Sequence, residues 1–151
     1  MRVVLDTNVL ARAIRGGASP AAELLRLVIT PPHLFVLSPF LLSELSRVLR
    51  YERLRTLHQL DDASLDRYVR SLQEAALLVT PVAGRLASVV ANDPDDDPIV
   101  AAAIAGRADV LCTLDRHLHA PPVVSFCRHH KVQVLTDTEL LDRIRSLPKP
   151  M

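Results

Sequence analysis

Short apolar segments of strand length alternate with segments of helical character along the whole sequence. The first, RVVL before Asp6, is rich in β-branched residues and is typical of a buried strand. Strands are predicted at Arg2–Asp6, Leu34–Leu37, Leu77–Val82, Asp109–Thr113 and Val132–Leu135. Because alternating strands and helices favour crossovers between parallel strands, the sequence predicts an α/β fold, a parallel sheet covered by helices on both faces.

The segments between the strands carry signals that start helices. Ser19-Pro20 and Ser38-Pro39 each place a capping residue before a proline at the first helical position. Thr136 and Glu139 have the spacing of a capping box. Helices are predicted at about Thr7–Ile14, Ser19–Ile29, Ser38–Arg50, Tyr51–His58, Asp61–Leu78, Ala83–Val90, Ile99–Ala105 and Thr136–Ser146. Residues 1–147 are expected to form one domain, and residues 148–151 a flexible tail.

The composition is typical of a cytoplasmic globular protein. Hydrophobic residues make up 49% of the 151, and no apolar run approaches the ~18–20 residues that span a bilayer. Cys112 and Cys127 both lie in apolar segments, which predicts buried, reduced thiols. The net charge is only +1, but residues 1–55 carry eight arginines against four acidic residues. The first part of the chain is therefore basic, as an enzyme that acts on a phosphate backbone would need, although segregated surface charge is also common in proteins without such a role.

Four acidic positions fall where a parallel sheet would bring them together. Asp6 and Asp115 follow predicted strands, whose carboxyl ends form the ligand-binding edge of open parallel sheets. Glu44 lies about two turns into the helix after the second strand, and the turn NDPDDDP precedes the helix that leads to the fourth. Taken singly, each has a structural alternative: the two aspartates as helix N-caps, Glu44 as an exposed residue, and the acidic run as a solvated turn.

Such a carboxylate cluster needs a counter-charge, because like charges at close range repel and burying a bare charge is costly. Mg²⁺ and Mn²⁺ prefer oxygen ligands, and they promote formation of hydroxide and stabilise charge on phosphorus. Zinc is not expected, because no Cys/His set has the spacing of a structural site. The histidines considered for it are His117, His119, His129 and His130.

Three segments of the sequence resemble motifs of the PIN domain family of nucleases, in the branch of toxin–antitoxin toxins (VapC-like). The segments, in the family's order, are VVLDTNVL, SPFLLSELSRVLRYERL and DPDDDPIVAAAIAGRADVLCTLDRHL. The segment from Val132 resembles the family's last strand and helix. One position departs from the pattern, since Leu114 stands where the family commonly has glycine. The resemblance implies a PIN-like three-layer α/β/α fold with a central parallel sheet of about five strands.

The resemblance also implies hydrolysis of RNA phosphodiesters that depends on Mg²⁺ or Mn²⁺. Asp6, Glu44 and Asp115 match the first, second and last acidic positions of the family. The third is either Asp96 or Asp97; the family pattern favours Asp96 as the ligand and leaves Asp97 in a supporting role.

Other residues match supporting positions of the family. Asn8 is expected to orient Asp6 or the loop, and Thr113 to form a hydrogen bond in the site. Ser38 is expected to open its helix, with a simple cap as the alternative role. Candidates for contacts to RNA phosphates, ranked by proximity in the chain, are Arg12, Arg15, Arg47, Arg50 and Arg116. The implied partners are an RNA substrate, a small antitoxin protein and a second copy of the chain in a homodimer.

Two other classes of protein gather acidic residues on a similar fold. A phospho-acceptor signalling domain would have an acidic pair after the first strand and a lysine after the last, whereas here Asp6 stands alone. A PIN-fold module that binds RNA or protein through a degenerate site would have lost one or more of the four acidic residues. All four positions are filled, which favours the ribonuclease.

Overall fold

The structure, a computed structural model, describes residues 1–81 and 97–149, and within them five strands form one parallel sheet. The strands are β1 (Arg2–Leu5), β2 (Leu34–Leu37), β3 (Leu77–Leu78), β4 (Val110–Cys112) and β5 (Gln133–Leu135). Their order across the sheet is β3-β2-β1-β4-β5, and all four neighbouring pairs are parallel. The predicted parallel sheet is therefore confirmed, with β1 at its centre.

The described residues also contain eight α-helices. They are α1 (Thr7–Ala13), α2 (Pro20–Val28), α3 (Pro39–Leu49), α4 (Glu52–His58), α5 (Asp62–Ala75), α6 (Asp97–Ala105), α7 (Pro121–His129) and α8 (Asp137–Arg145). A 3-10 helix spans Arg116–His119. Ser19 and Ser38 cap α2 and α3 as predicted, and Thr136 and Glu139 form the predicted capping box.

Helices cover both faces of the sheet, in the predicted three-layer α/β/α arrangement. From β1 the chain moves outward in one direction to β2 and β3, and then returns past β1 to β4 and β5. Right-handed crossovers place the helices of these two directions on opposite faces. In agreement, α1 and α2 pack together, whereas α6 packs on β1, β2 and β4, and α7 packs on β5. Helix α8 follows the last strand, is not part of a crossover, and packs on α2. The direction reverses between β1 and β4, where open sheets form their ligand crevice.

Some predictions about secondary structure were wrong in detail. The strand predicted to reach Val82 ends at Leu78. The helix predicted to reach Leu78 ends at Ala75, because Leu77 and Leu78 pair with Val36 and Leu37 of β2. The helix predicted from Ile99 already begins at Asp97. Helix α7 was not predicted at all. The helix predicted at Ala83–Val90 lies outside the described residues.

The centre of the sheet is fully buried between the two helical layers. All three residues of β4 and the last three of β1 have 0% exposure, and they form one core with Leu, Val and Ala side chains of the helices. Cys112 and Cys127 are buried and form no disulfide, as predicted, and burial raises the pKa of Cys127 to about 11. Among the described residues no helix has the length and apolar character needed to cross a membrane.

A glycine sets the distance between α6 and the sheet. Gly106 directly follows α6, and a Cβ atom at this position would lie 2.6 Å from Cγ1 of Val36 in β2. Val36 is completely buried, so it has no space into which it could move. Arg2 at the start of β1 binds the same turn, because its Nη1 donates to the carbonyl of Gly106 at 3.2 Å.

Candidate active site

Asp6 lies at the carboxyl end of the central strand, where the chain turns from β1 into α1. Its backbone N–H donates to the carbonyl of Cys112 at 2.9 Å, which extends the pairing of β1 with β4 by one residue. Its Oδ1 accepts from the backbone N–H of Thr7 at 2.7 Å and caps α1. Only 2% of Asp6 is exposed. Asp6 therefore does act as a helix N-cap, the structural alternative considered for it, and it does so through Oδ1.

Thr113 and Asn8 connect Asp6 to the loop after β4. The Thr113 hydroxyl donates to Asp6 Oδ2 at 2.7 Å and accepts from the backbone N–H of Asp115 at 3.0 Å. Asn8 Nδ2 donates to Asp6 Oδ2 at 3.4 Å, while Asn8 Oδ1 accepts from the N–H of Leu114 at 3.3 Å. The carboxyl ends of two neighbouring strands are thus fixed to each other by side chains.

Burial makes the ionised form of Asp6 unfavourable. Burial raises the pKa of this carboxyl above its ordinary value, and the charge of Asp115 raises it further. The hydrogen bonds from Thr113 and Thr7 oppose this effect only in part. A cation beside Asp6 would favour the ionised form, because it would offset both the burial and the repulsion.

Asp115 follows β4 by three residues and begins the 3-10 helix. Its Oδ1 accepts from the N–H of His117 at 2.9 Å, so the N-cap alternative is present here as well. Its charge acts on Asp6. The structure therefore brings the first and last predicted acidic residues together at neighbouring strand ends.

Glu44 lies on α3, a helix that packs against α1. Its side chain is 19% exposed, its Oε2 is shielded from solvent, and its Oε1 lies 3.9 Å from Nη2 of Arg47. Glu44 is therefore largely buried, which contradicts the alternative of an exposed surface residue.

The acidic turn lies largely outside the described residues. Asp96 and the side chain of Asp97 belong to that part, although the backbone of Asp97 begins α6. Within residues 1–81 and 97–149, no group of three or more His, Cys, Asp or Glu side chains lies close enough to hold a metal ion. The choice between Asp96 and Asp97 thus stays a prediction.

The remaining predicted residues divide into those with local partners and those exposed to solvent. Ser38 is buried and caps α3 by accepting from the N–H of Leu41, so its observed contact is that of a cap. Arg50 binds Asp66 at 2.7 Å, and Arg47 donates to the Tyr51 hydroxyl at 2.7 Å. Arg47 is exposed despite this contact, as are Arg12, Arg15 and Arg116.

Asp137 is an acidic residue that the sequence reasoning did not assign to the site. It lies two residues after the end of β5, is 6% exposed, and accepts from the N–H of Thr138 at 2.8 Å. Besides burial, the charges of Asp137 and Asp6 both raise the pKa of the Cys112 thiol, so the two carboxylates approach it from different strands. Its position at a strand end, like that of Asp6, was the signal that could have identified it.

The pair formed by Asp6 and Asp115 fits a hard divalent cation in donor type and charge. Both residues offer carboxylate oxygens, which Mg²⁺ and Mn²⁺ prefer, and these ions often bind through one or two carboxylates completed by water and phosphate. Water, phosphate or a further carboxylate would complete the coordination of the ion.

A comparison with protein families decides the classification. The profile of the PIN domain family matches residues 2–117, which include β1 to β4 and both strand-end aspartates. The chain belongs to the PIN domain family. Searches of the curated proteins and of the solved structures found no match.

Membership in the PIN domain family agrees with the observed fold and indicates the general activity. The match begins at the first residue of β1 and ends two residues after Asp115. PIN domains are generally nucleases, and thus hydrolases that bind nucleic acid. The candidate site lies inside the matched region, at the end of the sheet where an α/β fold binds its ligands.

Proposed function

We propose that this PIN domain is a ribonuclease that hydrolyses RNA phosphodiesters with the help of Mg²⁺ or Mn²⁺. The observation that carries the proposal is the pairing of Asp6 and Asp115. The first is almost completely buried, the two carboxylates repel each other, and side chains from two strand ends hold them in place. Such an arrangement is unfavourable by itself and becomes favourable when it binds a cation.

The ligand set that we propose is Asp6, Asp115, Asp96 and Glu44, with Asp97 in support. The cation, when bound, supplies activation of water and neutralisation of the charge that develops at phosphorus. The protein positions the carboxylates: the Thr113 hydroxyl connects Asp6 with the backbone of Asp115, and Asn8 connects Asp6 with the backbone of Leu114. The exposed arginines Arg12, Arg15 and Arg116 would contact phosphates near the site.

The toxin role rests on the likeness of the sequence motifs to toxin–antitoxin toxins. We therefore propose a small antitoxin as protein partner, and a homodimer in the cytoplasm, as features of that branch. An adjacent reading frame for an antitoxin-sized protein, whose product inhibits RNA cleavage by this chain, would support the role. If no such protein exists, a function in general RNA processing is favoured instead.

Cleavage of a labelled single-stranded RNA with Mg²⁺ or Mn²⁺ tests the ribonuclease. Asp6→Asn should lower the rate about 100-fold or more, because the loss of one ligand charge weakens both cation binding and activation of water. Asp142→Asn is the matched control, since Asp142 is exposed on α8, and it should cleave at the rate of the unmodified protein.

Thermal unfolding gives a readout that does not depend on activity. Mg²⁺ should raise the Tm of the unmodified protein and of Asp142→Asn, because a ligand that binds only the folded state stabilises it. It should leave the Tm of Asp6→Asn nearly unchanged. An Asp6→Asn variant that cleaves as fast as the unmodified protein would disprove the assignment of Asp6.

A further inference from the structure

A groove runs along the outer edge of β5, away from the sequence motifs that define the family. Its volume is about 510 Å³, and α7, β5 and α8 all contribute to its lining. Three basic side chains line it: Arg128 from α7, Lys131 from the turn before β5, and Arg143 from α8. All three residues are exposed.

The acidic residues of the groove already have partners elsewhere in the fold. Asp109 Oδ2 accepts from the backbone N–H of Arg2 at 2.8 Å, and Glu139 Oε1 accepts from the N–H of Thr136 at 3.0 Å. Arg143 donates to the neutral side chain of Gln133. Arg128 and Lys131 form no ion pair with any residue in the described ranges 1–81 and 97–149. The hydrogen bonds of Asp109 and Glu139 orient the two carboxylates away from the basic residues without removing their charge, so three basic and two acidic residues give the lining a net charge of +1.

Helix electrostatics explain only part of this charge. Basic residues near the carboxyl end of a helix interact favourably with its dipole, and this accounts for Arg128 in the last turn of α7 and Arg143 in the last turn of α8. Lys131 lies outside both helices, in the turn before β5, and lines the same groove. Convergence of basic residues from three elements on one groove indicates an anionic ligand.

One end of the groove lies beside the candidate active site. Leu135, which lines the groove, accepts from the backbone N–H of Thr113 at 2.9 Å, and the Thr113 hydroxyl donates to Asp6 Oδ2 at 2.7 Å. From Lys131 to Leu135 the chain advances roughly 13 Å, at about 3.3 Å per residue. An extended polyanion held at Asp6 and Asp115 would thus continue along the groove.

The backbone of β5 argues against an acidic peptide as the ligand. A peptide that adds to a sheet edge binds mainly through backbone hydrogen bonds. Gln133 donates to Asp109, and Leu135 accepts from Thr113, so both residues face β4. Because alternate residues of a strand face opposite sides, only Val134 of this three-residue strand faces outward. A ligand recognised by charge alone, such as a phosphate backbone, suits this edge better.

We propose that the groove lined by Arg128, Lys131 and Arg143 binds the phosphate backbone of the single-stranded RNA on one side of the cleaved bond. This inference rests on the proposed function, since it takes RNA as the substrate. Binding is independent of base sequence, because the groove presents cations to phosphates rather than a pattern for base edges. The groove adds affinity only for an RNA strand that is long enough to extend from the active site into the groove.

Binding of fluorescently labelled RNA, followed by anisotropy in the Asp6→Asn background without divalent metal, tests the groove. The probes are single strands of about 12 and about 3 nucleotides, which bracket the usual span of single-strand sites. The test variant combines Arg128→Gln, Lys131→Gln and Arg143→Gln. The control combines Arg53→Gln, Arg67→Gln and Arg70→Gln, which removes the same charge from exposed positions on α4 and α5.

The groove variant should bind the longer RNA about 10-fold more weakly at 0.1 M salt and lower the salt slope by about 2, since each lost phosphate contact removes about 0.7. The control should change affinity about twofold or less, and neither variant should alter binding of the short RNA. Equal weakening by both variants, or none by the groove variant, would overturn the proposal. Displacement of the RNA from this groove by an octaglutamate peptide at equal concentration would overturn it as well.

Cleavage assays separate this proposal from the ribonuclease function. With Asp6 intact, the groove variant should cleave the short RNA at the unmodified rate and the longer RNA more slowly at subsaturating concentration. If the unmodified protein cleaves neither RNA, the proposed function fails, whereas the anisotropy result still decides whether the groove binds RNA. Thermal unfolding confirms that both triple variants are folded.

Discussion

The carboxyl ends of β1 and β4 and the outer edge of β5 hold their polar side chains in opposite ways. At the first, Asp6 and Thr113 are buried and joined by a hydrogen bond of 2.7 Å. At the second, Arg128 and Lys131 are exposed and form no ion pair within the described residues. The first arrangement fixes atoms in position, as chemistry at a phosphate requires. The second supplies exposed positive charge, which suffices for binding without sequence preference.

The strands beneath these two regions should differ most in their contribution to stability. Leu111 of β4 is completely buried, and Leu111→Ala should lower the free energy of unfolding by about 2–5 kcal/mol, because it leaves a cavity in the core. Gln133 of β5 is exposed, and Gln133→Ala should change it by about 0.5 kcal/mol or less. Urea unfolding measures both values. Equal losses would show that β5 is as firmly packed as β4.

Thr113→Val tests whether the hydroxyl positions the carboxylates. The variant keeps the shape of the side chain but removes a donor to buried Asp6, which should cost about 1–3 kcal/mol of stability. RNA cleavage should fall about 10-fold or more, since a small displacement of catalytic groups is costly. Thr56→Val, at an exposed position on α4, is the control and should leave cleavage unchanged. A Thr113→Ser variant should recover most of the rate, which a role in packing alone would not explain.

A smaller effect is expected where α8 begins, on the wall of the groove. Thr136→Ala removes the cap that accepts from the N–H of Glu139 and should lower the free energy of unfolding by about 1 kcal/mol. Ser71→Ala, at an exposed position on α5, should change it by about 0.5 kcal/mol or less. Cleavage of the short RNA should be unaffected. A large loss of that activity would show that the active site depends on α8.

Local signals in the sequence were sufficient for most of the fold. Ser-Pro pairs start α2 and α3 because serine caps the helix and proline fits its first turn. The central strands were predicted because burial on both faces demands continuous apolar residues. Pairing between distant segments was less predictable: Leu77 and Leu78 extend the apolar pattern of α5, yet they join the sheet beside β2. Helix α7 begins after Ala120, so of the Ser-Pro signal that marked α2 and α3 it has only the proline and no capping side chain.

The part of the candidate site that lies at strand ends could be predicted from the sequence. Asp6 and Asp115 meet because β1 and β4 are neighbours in a parallel sheet. Their contacts through Thr113 were expected only from the family pattern, since a hydrogen bond between residues 107 positions apart leaves no local trace. No local sequence pattern marked the groove either, because its three basic residues come from separate elements and meet only in the folded chain.

The contact of Gly106 with Val36 connects the packing of one layer to the chemistry at the other end of the sheet. The side chain that is missing at position 106 lets α6 lie directly on β2, and the next strand, β4, begins four residues later. Any larger residue would push the helix outward and shift the start of β4, the strand that leads to Thr113 and Asp115. The alignment of the two aspartates thus depends on the absence of a side chain at position 106, which belongs to neither of their loops.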